Sequence, residues 1–180
     1  MQNVKCVMIG DTGVGKTCLL LRYGANCFRS DYVPTVYDNF AVHIMVDEQA
    51  VYLGVWDTVG CDDHDAIRPL HYPNTNVYLI CFSVSNRKSF EQVSNKWLPE
   101  VKRYGTNAPV VLAGLKRDLR TEAIAKSNVV MFEEGVEKAK EIEAASYCEA
   151  STLADEGVTQ LFHEVARVGI QRKRDKCILM

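Results

Sequence analysis

The stretch GDTGVGKT, residues 10–17, decides the fold of this chain. It fits the pattern G-x-x-x-x-G-K-[ST] in full and lies between an apolar strand-like run, VKCVMIG, and a segment with helical character. In that context the backbone N–H groups of the loop and of the helix N-terminus point at an anion. Lys16 supplies a positive charge for the β- and γ-phosphates of a nucleotide, and Thr17 offers a hydroxyl to Mg²⁺. A glycine-rich turn that binds nothing is the alternative, and the Lys-Thr pair disfavours it.

Apolar runs and amphipathic segments alternate along the rest of the chain. The strand-like runs are residues 4–10, 40–46, 51–57, 77–83, 109–114 and 146–150, and the helix-like segments are residues 15–23, 88–104, 132–145 and 157–171. Such alternation indicates a mostly parallel sheet covered on both faces, and the four-residue gap between the second and third runs allows an antiparallel hairpin. We therefore predict one α/β domain over residues 1–170, followed by a tail at residues 171–180. Its six-stranded, mostly parallel sheet carries helices on both faces and one antiparallel edge strand.

Composition places the chain among ordinary globular proteins. It has 180 residues, 47% of them hydrophobic, and a formal net charge of −2, so we expect no nucleic-acid partner. Seven cysteines without a regular spacing favour a reduced compartment over a disulfide framework. The first residues lack a signal-peptide pattern, and no apolar run approaches the ~20 residues that span a bilayer. We expect a monomer in the cytoplasm.

Two further acidic groups come directly after predicted strands. Asp57 ends the third run, where a carboxylate can hold Mg²⁺ through a water, although a lone strand-end aspartate is more often a cap. Asp118, in GLKRDL after the fifth run, can accept from two N–H groups of guanine, whereas adenine offers no such pair. Lys116 can lay its methylene stem along the purine face. With the phosphate loop, these residues predict a guanine nucleotide site.

These three elements, in this order and at these distances, resemble the small GTPases of the Ras superfamily. More narrowly, the chain resembles the Rho family along nearly its whole length. The narrower resemblance is carried by YVPTVYDNFAV (32–42), WDTVG (56–60), IRPLHYPNTNVYLICFSV (67–84), KWLPE (96–100) and the tail CILM (177–180). It implies a P-loop G domain that acts as a Mg²⁺-dependent switch. GTP would order residues 28–40 and 58–72 for effectors, and hydrolysis to GDP and phosphate would release them.

The same resemblance implies roles for individual residues. Thr35 would bind Mg²⁺ and the γ-phosphate, Tyr32 would close over the nucleotide, and Phe28 would pack against guanine. Gly60 would donate its N–H to the γ-phosphate, and Ser151 would belong to the last guanine-contacting loop, EAST (149–152). The expected nucleotide-binding set is Thr12, Gly13, Val14, Gly15, Lys16, Thr17, Cys18, Phe28, Tyr32, Thr35, Gly60, Lys116, Asp118, Ser151 and Thr152. The expected magnesium set is Thr17, Thr35 and Asp57, and the expected catalytic set is Lys16, Thr35, Gly60 and position 61.

Cys61 departs from the family pattern, which has a glutamine whose amide orients the attacking water. A thiol is too short and donates too weakly to replace that amide. A Cys61–His64 nucleophile is disfavoured by three neighbouring aspartates, and a zinc site there lacks two further ligands at usable spacing. Thr12 stands where the family has glycine and narrows the catalytic space, while Gly13 follows where the family has alanine. We expect impaired, slow GTP hydrolysis.

Further departures and alternative functions follow from the same residues. Leu115 stands where the family has Thr or Asn, so it cannot hydrogen-bond to the phosphate loop, and we expect faster nucleotide exchange. One alternative is an interaction module that stays loaded with GTP and hydrolyses essentially none of it. Another is a P-loop kinase or ATPase, against which Lys116 and Asp118 argue because they favour guanine.

The tail QRKRDKCILM ends in a C-a-a-X pattern at Cys177, and its terminal Met favours a farnesyl group. Four basic residues precede it and would add attraction to an anionic leaflet: Arg172, Lys173, Arg174 and Lys176. A charged C-terminus with a chance cysteine is the alternative. We therefore expect prenylated protein on the cytoplasmic face of the plasma membrane. The family resemblance further implies an exchange factor, a GTPase-activating protein, a dissociation inhibitor and actin-regulating effectors as partners.

Overall fold

A six-stranded sheet forms the centre of the computed structural model, which describes residues 1–25, 37–120 and 128–178 and, for residues 25, 37, 38 and 173–178, the backbone alone. The strands are β1 (Gln2–Gly10), β2 (Tyr37–Val46), β3 (Gln49–Thr58), β4 (Val77–Ser83), β5 (Val110–Leu115) and β6 (Ser146–Ala150). They lie in the order β2-β3-β1-β4-β5-β6. Only β2 and β3 pair antiparallel, and the other neighbours are parallel. The predicted α/β sheet with one antiparallel edge strand is confirmed.

The hairpin at the sheet edge is tighter than the apolar runs predict. Val46 pairs with Gln49, so a two-residue turn, Asp47 and Glu48, replaces the predicted four-residue gap. Both turn residues have left-handed backbones, with φ of +48° and +64°. Turns with two positive φ angles match the right-handed twist of the paired strands, which is why pairing continues to the end of each strand.

The helices cover both faces of the sheet. They are α1 (Lys16–Ala25), α2 (Arg87–Gln92), α3 (Leu98–Tyr104), α4 (Phe132–Glu141) and α5 (Val158–Ile178). A π-helical segment, Val93–Trp97, joins α2 to α3, so the predicted single helix at 88–104 is three consecutive pieces. Pro99 lies in the first turn of α3 and has no N–H for the preceding turn, which accounts for the interruption. No helix within the described ranges is long and apolar enough to cross a bilayer.

Two hydrophobic clusters flank the sheet, and β1 contributes to both. Cys6 and Met8 point to the face covered by α1 and α5, while Val7 and Ile9 point to the face covered by α2, α3 and α4. All four side chains are fully buried, which explains the uninterrupted apolar runs in the sequence. Because β1 lies between β3 and β4, its carboxyl end opens onto the crevice where ligands bind in sheets of this kind.

Candidate nucleotide-binding site

The loop between β1 and α1 forms a concave turn of backbone at the carboxyl end of the sheet. Gly13 and Gly15 adopt φ of +78° and +112°, a conformation that L side chains rarely adopt and that glycine takes without strain. Nothing lies within 4 Å of the position that a Cβ on Gly13 would take. Gly13, which stands where the family has alanine, therefore provides a left-handed backbone conformation in the loop.

Lys16 lies at the start of α1 with only 7% of its surface exposed. Its Nζ donates to the carbonyl oxygens of Gly10, at 2.7 Å, and Asp11, at 2.9 Å. Burial lowers the pKa of the Lys16 amine, and the nearby charge of Asp57 opposes that shift. The two hydrogen bonds hold the amine across the loop, where it can neutralise a phosphate.

Thr17 and Asp57 place two oxygen ligands beside this loop. Thr17 Oγ1 donates to Asp57 Oδ2 at 2.6 Å, and the Asp57 side chain is buried near the end of β3. A hydroxyl and a carboxylate are hard oxygen ligands of the kind that Mg²⁺ prefers when it keeps several waters. Among the described residues there is no cluster of three or more His, Cys, Asp or Glu that could hold a metal. The Thr17 hydroxyl and the Asp57 carboxylate fit a magnesium ion that takes the rest of its ligands from water and phosphate.

Gly60 brings the segment after β3 onto the phosphate loop. A Cβ on Gly60 would overlap the carbonyl oxygen of Gly10 and the amide nitrogen of Thr12, so only glycine fits there. Next to it, Cys61 is half-buried and its Sγ lies 2.9 Å from Nδ1 of His64. The Thr12 side chain is exposed at the mouth of the loop. Position 61 thus directly follows the glycine that contacts the phosphate loop.

Lys116 connects the phosphate loop with the loop after β5. It has a left-handed backbone, with φ of +60°, and its Nζ donates to the carbonyl oxygen of Gly13 at 2.6 Å. Just before it, the buried side chain of Leu115 lies against the phosphate loop, with Cδ1 3.8 Å from the Cβ position of Gly15. Leu115 therefore makes an apolar contact with the phosphate loop, at the position where a Thr or Asn would offer a hydrogen bond.

The loop after β6 meets Asp118 on the same side of the sheet. Ser151 is fully buried, and its Oγ donates to Asp118 Oδ1 at 2.5 Å and accepts from the Ala154 amide at 3.0 Å. The carbonyl oxygen of Thr152 accepts from Nε of Arg22, on α1, at 2.8 Å. These contacts orient the Asp118 carboxylate, the group proposed to accept from guanine.

The model of the Ras family matches residues 5–171 of this chain. The chain belongs to the Ras family. It is therefore a small GTPase, a P-loop switch of the kind that binds GTP and GDP, generally with Mg²⁺, and hydrolyses GTP. Members of the family act through regulators and effectors. In such a switch, the loop and the buried lysine described above could bind phosphate, and the Thr17–Asp57 pair could bind magnesium.

In this Ras-family chain the described site residues lie at the carboxyl end of the sheet. Those around the phosphate loop are Thr12, Gly13, Val14, Gly15, Lys16, Thr17, Cys18, Asp57, Gly60 and Cys61, and those on the base side are Lys116, Asp118, Ser151 and Thr152. Val14 is buried and Cys18 is half-buried. Phe28, Tyr32 and Thr35 lie outside the described residues. Cys177 belongs to α5, of which only the backbone is described at that position.

Sequence reasoning missed Arg68 as a buried residue that contacts the segment around Gly60. Its side chain is fully buried, whereas the apolar side chains of Ile67 and Leu70 are 44% and 73% exposed, the reverse of what hydropathy predicts. Burial alone would lower the pKa of Arg68, but hydrogen bonding to Asp65 and the charge of Glu100 raise it overall. The partner Glu100 is 32 residues away in sequence, so no local pattern could have indicated the pair.

Proposed function

We propose that this chain is a Rho-like small GTPase whose own hydrolysis of GTP is weak. The observation that carries the proposal is the side chain at position 61. Where the Rho-like pattern has a glutamine, Cys61 directs its sulfur to His64, with 2.9 Å between Sγ and Nδ1. A thiol is a weak donor and a weak acceptor, so it cannot hold an attacking water as an amide does.

The backbone around Cys61 leaves little freedom for compensation. Arg68 donates to the carbonyl oxygens of Val59, at 2.8 Å, and of Cys61, at 2.9 Å. Gly60, between them, has no room for a side chain against the phosphate loop. Because Arg68 holds the main chain on both sides of Gly60, a shift of the segment that brought the shorter thiol closer to the phosphate would cost these hydrogen bonds.

The remaining parts of the reaction are supplied by residues of this chain. Lys16 would neutralise charge on the β- and γ-phosphates, and the Gly60 N–H would donate to the γ-phosphate. Thr17 and Asp57 would hold Mg²⁺, which when bound offsets the charge that develops on the phosphate oxygens. Cys61 does not supply the amide that would orient the attacking water, so we expect nucleotide binding to be retained and hydrolysis to be slow.

Single-turnover hydrolysis of GTP with Mg²⁺ tests this proposal. We expect Cys61→Gln to raise the rate about tenfold or more, since one well-placed donor is worth about 10²–10³ at a transition state. Thr12→Gly, added to Cys61→Gln, should raise it further by opening the mouth of the loop. Cys148→Ser, which removes a half-buried thiol on β6, is the control and should change nothing. A native rate at or above that of Cys61→Gln would contradict the proposal, and a large loss in His64→Ala would assign the water to His64.

A second candidate function is an interaction module that stays loaded with GTP and hydrolyses essentially none. Ion pairs around residues 58–72, which we call the second switch, favour it: Lys96 contacts Asp62 and lies 3.1 Å from Asp65, while Arg68 pairs with Glu100 at 2.6 Å. A segment held in this way would present one surface whichever nucleotide is bound. Equal hydrogen-exchange protection of residues 60–72 with GDP and with a non-hydrolysable GTP analogue would favour the module, and a clear difference would favour the timed switch.

We also propose that the chain acts on the cytoplasmic face of the plasma membrane through a farnesyl group on Cys177. Arg172 cannot serve the basic patch, because it is 9% exposed and donates to the carbonyl oxygen of Thr75. The remaining three basic residues of the tail, Lys173, Arg174 and Lys176, would add about 1 kcal/mol each near an anionic leaflet. Farnesylated chain should sediment with phosphatidylserine vesicles and Cys177→Ser should not; equal sedimentation would exclude the lipid anchor.

The partners proposed for this switch rest on its Rho-like segments. They are an exchange factor, a GTPase-activating protein, a dissociation inhibitor that masks the lipid, and effectors that regulate actin. The segments concerned are residues 32–42, 56–60, 67–84 and 96–100. Binding of purified Rho-family regulators to the GDP-loaded and GTP-loaded chain would test the assignment, and preference for regulators of another Ras-family branch would contradict it.

A further inference from the structure

Trp97 lies in the π-helical segment between α2 and α3 and joins two parts of the nucleotide site. Its side chain is fully buried, and its Nε1 donates to Asp11 Oδ1 of the phosphate loop at 2.7 Å. The guanidinium carbon of Arg68 lies 4.8 Å from the centre of the indole ring, and Nζ of Lys96 lies 4.7 Å from it. One side chain therefore contacts the phosphate loop through its N–H and the second switch through its ring.

The N–H of Trp97 acts on the loop through Asp11. The main-chain carbonyl of Asp11 accepts from Lys16 Nζ at 2.9 Å, so its peptide is part of what holds that amine. The same peptide faces Gly60, since a Cβ there would overlap the carbonyl carbon of Asp11. A hydrogen bond from a buried indole to the Asp11 carboxylate is charge-assisted and directional. It therefore restrains the peptide that Lys16 and Gly60 both contact.

The ring of Trp97 acts on the second switch through Arg68. The guanidinium lies over the indole and donates to the carbonyl oxygens of Val59 and Cys61, the residues on either side of Gly60. A planar guanidinium over an aromatic ring is favourable and sets the plane in which its N–H groups point. Removal of the ring would take away one of the contacts that fix this plane, the others being hydrogen bonds to the carboxylates of Asp65 and Glu100.

We propose that Trp97 is a positioning residue that sets the distance between the phosphate loop and the Gly60–Cys61 peptide. It acts through Asp11 on one side and Arg68 on the other. The proposal rests on nucleotide binding at this site and is independent of whether hydrolysis is slow. The competing explanation is that Trp97 only fills the hydrophobic cluster between the sheet and helices α2 and α3.

Trp97→Phe separates these explanations, because it keeps an aromatic ring for Arg68 and removes the N–H. We expect release of fluorescent GDP to become about three- to tenfold faster, the scale of one buried hydrogen bond. Asp11→Ala should give a similar increase and Asp11→Asn, which keeps an acceptor oxygen, a smaller one. The double variant Trp97→Phe with Asp11→Ala should be no faster than the faster single variant, since both remove the same contact.

A core aromatic outside this network provides the control for lost packing. Phe90 belongs to the same hydrophobic cluster, is 7% exposed and contacts Phe82 edge-on. Phe90→Leu should lower the melting temperature with little effect on GDP release. GDP release in Trp97→Phe within twofold of native, or no faster than in Phe90→Leu at a matched loss of melting temperature, would overturn the proposal.

A readout that needs no nucleotide tests the contact itself. The chain has two tryptophans, Trp56 and Trp97, so its ¹H–¹⁵N spectrum contains two indole N–H signals. We expect the Trp97 signal to exchange with solvent much more slowly than that of half-buried Trp56 and to lose this protection in Asp11→Ala. Protection unchanged in Asp11→Ala would refute the contact. If the native chain bound no GDP, the proposed nucleotide site would fail, while this spectrum would still decide whether Trp97 donates to Asp11.

Discussion

Replacement of Arg68 by Met should cost this protein a large part of its stability. The Arg68 side chain is 0% exposed and pairs with Glu100, whose side chain is 10% exposed, at 2.6 Å. Without the guanidinium, the Glu100 carboxylate is left buried with the hydroxyl of Tyr72 as a remaining donor. Breaking a buried ion pair by removing one partner costs about 3–5 kcal/mol. For a domain of this size, that is a fall of about 6–20 °C in melting temperature.

Urea denaturation at fixed concentrations of GDP and Mg²⁺ measures this change, because bound nucleotide also stabilises the fold by mass action. Arg117→Met is the matched control: Arg117 pairs with Glu156 at 2.5 Å, but the two side chains are 45% and 54% exposed. An exposed pair of this kind is worth about 0–1 kcal/mol. Adding Glu100→Gln to Arg68→Met should recover about 1 kcal/mol or more, since the stranded charge is then removed.

The reasoning would be refuted by an Arg68→Met variant that unfolds within about 1 kcal/mol of native. It would also be refuted if Arg68→Met and Arg117→Met were equally destabilised, since burial would then not be the deciding factor. A double variant less stable than Arg68→Met would show that Glu100 is stabilised by groups other than Arg68. In that case the second switch would be held chiefly by its backbone contacts.

Two other predictions follow from buried groups near the site. Burial and the hydrogen bond to Glu100 raise the pKa of the Tyr72 hydroxyl, so the folded state favours its neutral form. The contribution of neutral Tyr72 to the free energy of unfolding is fully present below pH ~10, the pKa of an unfolded tyrosine, and should be lost as the pH rises above it. Urea denaturation from pH 8 to 11 should therefore show a shallower decline for Tyr72→Phe, and equal slopes would contradict the assignment. Leu115→Thr should slow release of GDP, because its hydroxyl would face the phosphate loop. The same change should lower the free energy of unfolding by about 1–3 kcal/mol, because a buried isobutyl group is lost. Unchanged release would show that Leu115 does not weaken binding.

The fold could be read from the sequence because its signals are local. Apolar runs with strand length, separated by amphipathic helices, predicted every strand and the antiparallel edge, and β4 and β6 were bounded correctly. The last helix, predicted at 157–171, runs to Ile178, and two other errors fell where backbone hydrogen bonding rather than hydropathy sets the limits of an element. Pro99 divides the helix predicted at 88–104, and the two-residue turn at Asp47 lets β2 and β3 pair further than their apolar cores.

The protein groups expected to bind the nucleotide phosphates could also be predicted from the sequence alone. A glycine-rich loop with Lys16 and Thr17 needs only its own backbone and the strand and helix beside it to form an anion site. The tertiary structure alone decided what holds that loop against the second switch. The Trp97–Asp11 bond joins residues 86 positions apart, and Arg68 is buried while its apolar neighbours are exposed. Such contacts depend on how α3 and the π-helical segment pack on the sheet. Local sequence patterns do not predict that packing, because the contacting residues are far apart in the chain.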